Sequence, residues 1–214
     1  SECATTEPVG DGLVGCWEFD EGSGSTAGDC SGNGNHGTLV NGPIWGQGSL
    51  TFDGIDDYVD CGSDNSLDIT NEITISAWVN PASFPTNYND IVSKKMAYYF
   101  AVDSSGRLKV LLYPLTQGWF TGSSAISGPT HVVMRYDGSK LRLYVNNILD
   151  SEGNVSGSIN TSTHNLFIAG CQNNSKTGAL VNRHFNGSID NVKIFDKALS
   201  VQEIEELYNE GVGI

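Results

Sequence analysis

Residues 72–81 read EITISAWVNP. Ile73, Ile75, Ala77 and Val79 alternate with Thr74, Ser76 and Trp78, which is the two-residue period of a strand with two different faces. Working outward, the same kind of short β-type run, closed by turn residues, recurs in both directions. GLVGCWEF (12–19), SLTFDG (49–54) and DDYVDCG (56–62) precede it. DIVSKK (90–95), AYYFAVDSSG (97–106), RLKVLLY (107–113), HNLFIAG (164–170) and GSIDNVKIF (187–195) follow. Within THVVMRYDGSKLRLYVNN (130–147), the Tyr136-Asp137-Gly138-Ser139 stretch is a hairpin signal, with Asp-Gly supplying the tight turn. About a dozen short strands and almost no helix describe an all-β chain, an antiparallel two-sheet sandwich or a barrel.

One helix is expected, over SVQEIEELYNEG (200–211). Ser200 as N-cap and Glu203 three positions on make a capping box, Ile204, Leu207 and Tyr208 form an apolar face, and Gly211 ends the helix.

Composition narrows the function classes. The chain has 214 residues, 38% of them hydrophobic, enough for one domain with a proper core. The formal charge is −14, from 25 acids against 11 bases, with no cluster of Lys and Arg. That balance argues against nucleic acid or an anionic membrane surface as partner. No apolar run approaches the roughly 18 to 20 residues that span a bilayer, so no membrane insertion is expected. Residues 1–10, with their Thr-Thr-Glu-Pro stretch, read as linker or tail without a signal peptide, and residues 11–214 as the domain.

The five cysteines, Cys3, Cys16, Cys30, Cys61 and Cys171, form no CxxC pair and no zinc-type spacing with histidine. A local Cys16–Cys30 disulfide and a second between Cys61 and Cys171 are both conceivable.

The stretch DCSGNGNHG (29–37) holds three glycines, two asparagines, an aspartate and a histidine in nine residues. It is a loop, either a polar turn or an oxygen-rich cage for a hard cation. In GSIDNVKIF, Asp190 shares parity with Val192 and Ile194, so an unbulged strand turns its carboxylate to the buried face. A buried carboxylate is costly unless paired or bound to a metal. FDGIDDYVD (52–60) is a second acidic patch, with Asp53, Asp56 and Asp57 at the places a tight turn uses.

Five segments, WEFDEGSGSTAGDCSGNGNHGTL, FDGIDDYVD, ITISAWVNP, THVVMRYDGSKLRLYVN and FNGSIDNVKIFDKALSVQEIEELY, together resemble the laminin-G-like jelly-roll domains of the concanavalin A-like lectin and glucanase superfamily. The resemblance covers residues 11 to 211. It implies a jelly-roll sandwich of two antiparallel sheets, one curved, with one short C-terminal helix, and binding or catalysis on the concave face or its rim loops. It also implies a calcium site where the loop approaches the strand carrying Gly-x-Ile-Asp. The matching positions are Asp29, Ser31 and Asn33, backbone carbonyls near Asn35 and His36, and Asp190.

The glucanases of this superfamily resemble one another in a Glu-x-Asp-x-x-Glu strand motif. Here Glu18-Phe19-Asp20-Glu21 lacks its last spacing, and no expected central strand offers two carboxyls about 5 to 5.5 Å apart. The signatures of alginate lyases of similar fold are not intact either. Binding a glycan needs only aromatic faces and a few planar polar groups. Trp119, in the turn-rich segment TQGWFTG, is the first candidate for such a face, followed by Tyr88, Tyr98, Tyr113 and Arg183, while Trp17 and Trp78 read as core. The expectation is a calcium-stabilised, non-catalytic binding module of an extracellular or cell-surface protein, with a polysaccharide or glycan as partner and a protein as the second partner class. The alternatives are a polysaccharide-active lyase or glycoside hydrolase, and an adhesive or structural module.

Overall fold

A computed structural model describes residues 10–211; residues 1–9, which hold most of the expected linker and Cys3, lie outside the described part. Two eight-stranded sheets, antiparallel throughout their paired strands, pack face to face. In the first sheet the order is Ile148–Asn154, Lys140–Val145, Thr130–Tyr136, Ile73–Ser83, Asn186–Phe195, Leu50–Asp53 and Ile44–Trp45, with Leu13–Trp17 also paired to Asn186–Phe195. In the second it is Phe120–Ala125, Arg107–Leu112, Tyr98–Val102, Asn89–Lys94, Leu166–Ile168, Tyr58–Asp60, Gly37–Val40 and Thr26–Ala27. This is the expected jelly-roll sandwich with one C-terminal helix.

Alternation builds the core. Ile73, Ile75, Ala77 and Val79 point inward with Val132, Met134 and Ile194, and meet Phe100, Val102, Leu108 and Val110 from the opposite sheet. Removing this apolar surface from water, at about 25 cal/mol per Å², is the dominant favourable contribution. Trp17 is wholly buried here, as expected.

The outer face of the first sheet carries a smaller core of Val133, Tyr144 and Phe195, covered by Leu199, Ile204 and Leu207 of the C-terminal segment. The helix Val201–Gly211 begins at the expected capping box: Glu203 accepts from the Ser200 N–H at 2.6 Å, and Ser200 Oγ accepts from the Glu203 N–H at 3.2 Å. Trp78 belongs to this outer layer rather than to the space between the sheets. Its ring stacks on Tyr208 at 5.6 Å, and a Cβ on Gly211 would collide with it, so the helix end requires glycine there.

The Thr130–Tyr136/Lys140–Val145 hairpin turns where the sequence placed it, with Gly138 at φ +81°. Asp137 ties the turn together. Its carboxylate accepts from the N–H groups of Ser139 and Lys140 and from the side chains of Arg135 and Arg142. Burial opposes its charge, but hydrogen bonds from Ser139, Arg142, Lys140 and Arg135 prevail and hold the carboxyl well below the usual range. Its folded value is depressed, so its stabilisation is full above the unfolded value near 4 and is lost as pH falls through the folded one. Asp137→Ala should therefore cost about 1–3 kcal/mol at neutral pH and progressively less in acid, as read by urea unfolding at each pH.

Of the two conceivable disulfides, Cys16–Cys30 is formed. Cys61 and Cys171 are free and buried, which corrects the second pairing. The reason is topological: Cys61 belongs to the core between the sheets, whereas Cys171 lies outside the second sheet, near Asp90 and Arg183.

Candidate functional site

The Asp29–Gly37 loop is held by its own aspartate. Asp29 accepts from the N–H groups of Cys16 at 3.0 Å, Ser31 at 2.9 Å and Asn35 at 2.8 Å, and from Ser31 Oγ at 2.8 Å. Four donors occupy the four lone-pair directions of the carboxylate, leaving none directed at an ion. Asn33 Nδ2 reaches Val14 O and Ser31 Oγ, and Asn35 Nδ2 donates to Val14 O at 2.9 Å and Ser66 Oγ at 3.0 Å. The Asn35 carbonyl accepts from Trp17 Nε1, and His36 Nδ1 accepts from the Asp29 N–H. The loop is thus a rigid, internally satisfied structure pinned beside the Cys16–Cys30 bridge.

Asp190 lies elsewhere. Its strand carries one extra residue relative to Ile73–Ser83, the register shifting between Asp190 and Lys193 with Asn191 at φ +48°. This bulge overturns the simple parity reading. Ile189 and Val192 face the core, while Asp190 is carried to the outer face opposite Trp78. It is buried all the same, 9% exposed, with Oδ2 accepting from Asn191 Nδ2 and Oδ1 without any partner. Burial pushes the carboxyl up to about 6 against the pull of Asn191, and Asp20 and Glu18 add to the rise.

The segment after the first strand lies between these two places. Glu18, Asp20 and Glu21 line a cleft of about 370 Å³ with Gly28, Asp29 and Cys30, and the first two act on Asp190. An orphaned buried carboxylate oxygen is oxygen-donor chemistry of the kind calcium takes, so the Asp190 side chain fits a cation. The Asp29 side chain, fully bonded to donors, does not. Glu18 and Asp20 raise the Asp190 carboxyl through their charge but do not form a close ligand cluster with it; the clusters with ligand atoms within 4.8 Å among the described residues are Cys16, Glu18 and Cys30, and Asp53, Asp56 and Asp57. The acidic turn at Asp53 is a turn: Asp53 accepts from the Ile55 N–H at 2.8 Å, and Asp57 accepts from the Asp53 N–H at 3.1 Å.

Aromatic side chains gather on the outer face of the second sheet. Trp119, half-buried at the end of the turn before Phe120–Ala125, lies 5.1 Å from the Tyr88 ring and 5.8 Å, edge-on, from Tyr99. Arg183 crosses all three, its Cζ 5.0 Å from the Tyr88 centroid and 5.3 Å from those of Tyr99 and Trp119. Lys109 Nζ stands 4.7 Å from the Tyr88 centroid and 5.4 Å from that of Trp119. Beside Trp119 opens a surface cavity of about 410 Å³, formed by the turn Leu115–Phe120 with Asn154 and Val155.

Arg183 is fixed by a two-pronged bond to Asp90, Nε to Oδ2 at 2.6 Å and Nη2 to Oδ1 at 2.7 Å. Asp90 is fully buried. Burial pushes its carboxyl up and the guanidinium pulls it back; paired short contacts of this kind are the geometry of an ionised carboxylate.

The structure thus brings Trp119, Tyr88 and Arg183 together. It removes Tyr98, which has 0% exposure, lies in the core and donates its hydroxyl to the Leu67 carbonyl. Its neighbour Tyr99 takes the outer position. The signal was present in the sequence, since Tyr98 has the parity of Phe100 and Val102 and Tyr99 that of the small Ala101. Tyr113 is 38% exposed but makes none of the ring contacts of this group among the described residues. Asp90 and Lys109 had no local signature, because their roles depend on strands brought together from far apart.

His131 and Arg135, which share a strand face, are structural. His131 is buried with Nε2 2.7 Å from Ser76 Oγ, and Arg135 donates to Asp137 and to the Leu199 carbonyl.

The scaffold beneath this aromatic face recurs in other proteins. The binding domain of Paraclostridial Mosquitocidal Protein 1 superposes with a TM-score of 0.69 at 15% identity, over 94% of this chain and 53% of that one. Domain 4 of AbnA, an extracellular arabinanase from Geobacillus stearothermophilus solved in complex with arabinotriose, gives 0.65 at 19% identity, over 92% and 98%. A Trypanosoma rangeli sialidase in complex with sialic acid gives 0.68 at 17% identity, over 92% of this chain and 32% of the sialidase. At such identities the likeness is one of fold, and the chain spans about half of the first protein and a third of the last. No curated protein matches the sequence. The family model of the concanavalin A-like lectin/glucanases superfamily matches residues 53–205, more than two thirds of the chain. By that match, and by the two-sheet jelly roll that carries it, the chain belongs to the laminin-G-like branch of the concanavalin A-like lectin/glucanases superfamily.

Proposed function

We propose that this domain is a non-catalytic carbohydrate-binding module of an extracellular or cell-surface protein, stabilised by calcium. The observation that carries the binding assignment is the half-buried Trp119 held against Tyr88 and Tyr99 beside an open cavity. An indole supported on one side by other rings has little freedom to lose on binding, and it offers apolar area for a sugar ring. A supporting analogy is domain 4 of the arabinanase, solved with arabinotriose on a similar fold.

Calcium would be held by the Asp190 carboxylate, with Glu18 and Asp20 as the acids whose charge acts on it. Its part is structural: it would neutralise a carboxylate whose burial is otherwise unfavourable. A disulfide between Cys16 and Cys30 suits an oxidising compartment.

The test is to incubate the protein with a panel of soluble polysaccharides, following binding by affinity electrophoresis and turnover by reducing-sugar and unsaturated-product assays. Retardation without product is expected. Product release that survives loss of Trp119 and of Arg183 would replace this reading with that of a polysaccharide-active enzyme.

A further inference from the structure

The charges on the aromatic face differ from those of the rest of the molecule. Eight of the eleven basic side chains, Lys94, Arg107, Arg135, Lys140, Arg142, Arg183, Lys193 and Lys197, make ion pairs. In a chain with 25 acids that is the ordinary state of a base. Of the remaining three, Lys176 makes no ion pair but bonds Thr163 through Nζ, whereas among the described residues Lys109 makes neither an ion pair nor a hydrogen bond through Nζ. It is half-buried in the middle of strand Arg107–Leu112, opposite Ala101 and Thr121, with its ammonium against Tyr88 and Trp119. Lys95, buried just beyond the end of strand Asn89–Lys94, also makes no ion pair among the described residues. The single buried carboxylate here, Asp90, is matched by Arg183. This face therefore carries uncompensated positive charge on a protein of formal charge −14.

Lysine is strongly hydrated, and holding its ammonium against two rings replaces part of that hydration with weaker attraction from the ring faces. Such a group gains most from an anion that arrives with the ligand, in surroundings where apolar rings reduce screening by water. From this arrangement, which rests on the carbohydrate-binding reading above, we infer that the ligand is an acidic glycan, whose ring lies on Trp119 while its carboxylate or sulfate ester meets Lys109. The guanidinium of Arg183, already bound to Asp90, orients the rings without having to leave its partner. Recognition by one ammonium is recognition of a point charge, so both kinds of acidic sugar satisfy it.

The test uses pairs of polymers that differ only in the acidic group: polygalacturonate, alginate and hyaluronan against their carboxyl-reduced forms, and a sulfated galactan against its desulfated form. At least one acidic member should bind tenfold or more tighter than its neutral counterpart. Lys109→Gln should reduce that ratio to near one and leave the melting temperature unchanged. A preference confined to the uronates identifies a carboxylate ligand, and one confined to the galactan a sulfate ester. Neutral forms bound as tightly as acidic ones through Trp119 would overturn the inference and leave the carbohydrate reading standing. Absence of binding to every polymer, acidic and neutral, would overturn both. A preference that persists in Lys109→Gln would move the anion contact elsewhere and overturn the assignment to Lys109.

Discussion

Arg183→Ala is expected to destabilise the domain by about 3–5 kcal/mol at neutral pH, because it leaves the fully buried Asp90 carboxylate without its partner. Asp90 has no exposed route to water. Once the guanidinium is gone, burial raises the Asp90 folded value above its unfolded one, so the variant folds with a bound proton. A raised folded value gives stability that is present below the unfolded value near 4 and is lost as pH rises through the folded one. The cost of the substitution should therefore grow between pH 4 and pH 7. Adding Asp90→Asn to Arg183→Ala should recover part of the loss at pH 7 and little at pH 4. Urea unfolding of the three proteins at both pH values checks this, and a loss equal at both would contradict a buried ion pair.

Removal of the proposed calcium is expected to have the second large effect. A ligand that binds only the folded state adds RT ln(1 + [L]/Kd), about 2.7 kcal/mol at a hundredfold excess over Kd. For a domain of this size that is roughly 5 to 10 °C of melting temperature between millimolar calcium and chelator. In chelator at pH 7 the Asp190 carboxyl, pushed up to about 6, is ionised at a cost. Raising a carboxyl from its ordinary value near 4 to about 6 corresponds to about 3 kcal/mol, recovered as pH falls from 6 toward 4. Asp190→Asn should accordingly be more stable than the natural protein in chelator and less stable in calcium. Identical melting of the natural protein in calcium and in chelator would rule out a stabilising ion.

The fold was legible because its signals are local and repeated. Alternation in Ile73–Val79, Asp-Gly at 137–138 and the Ser200/Glu203 box each act over a few residues, and each acts the same way in the folded chain. Asp190 was misread because parity assumes an unbroken register, and one extra residue at Asn191 reverses the face of everything before it. Asp29 had the composition of a calcium ligand, but its oxygens are taken by N–H groups from the first strand and from its own loop. The aromatic face was half legible: Trp119 stood out by breaking alternation, whereas Tyr99, Lys109 and Asp90 come together only through the order of strands in the second sheet.

The central claim is that Trp119 forms the floor of a glycan site, and one variant tests it through two quantities. Trp119→Ala should weaken binding of a retained polysaccharide tenfold or more, roughly 1.4 kcal/mol, by isothermal titration. The same variant should lose much less stability than the roughly 3–5 kcal/mol that truncating a core tryptophan costs, since Trp119 is only half-buried. Unchanged affinity in a normally folded variant, or a stability loss of core size, would contradict the account.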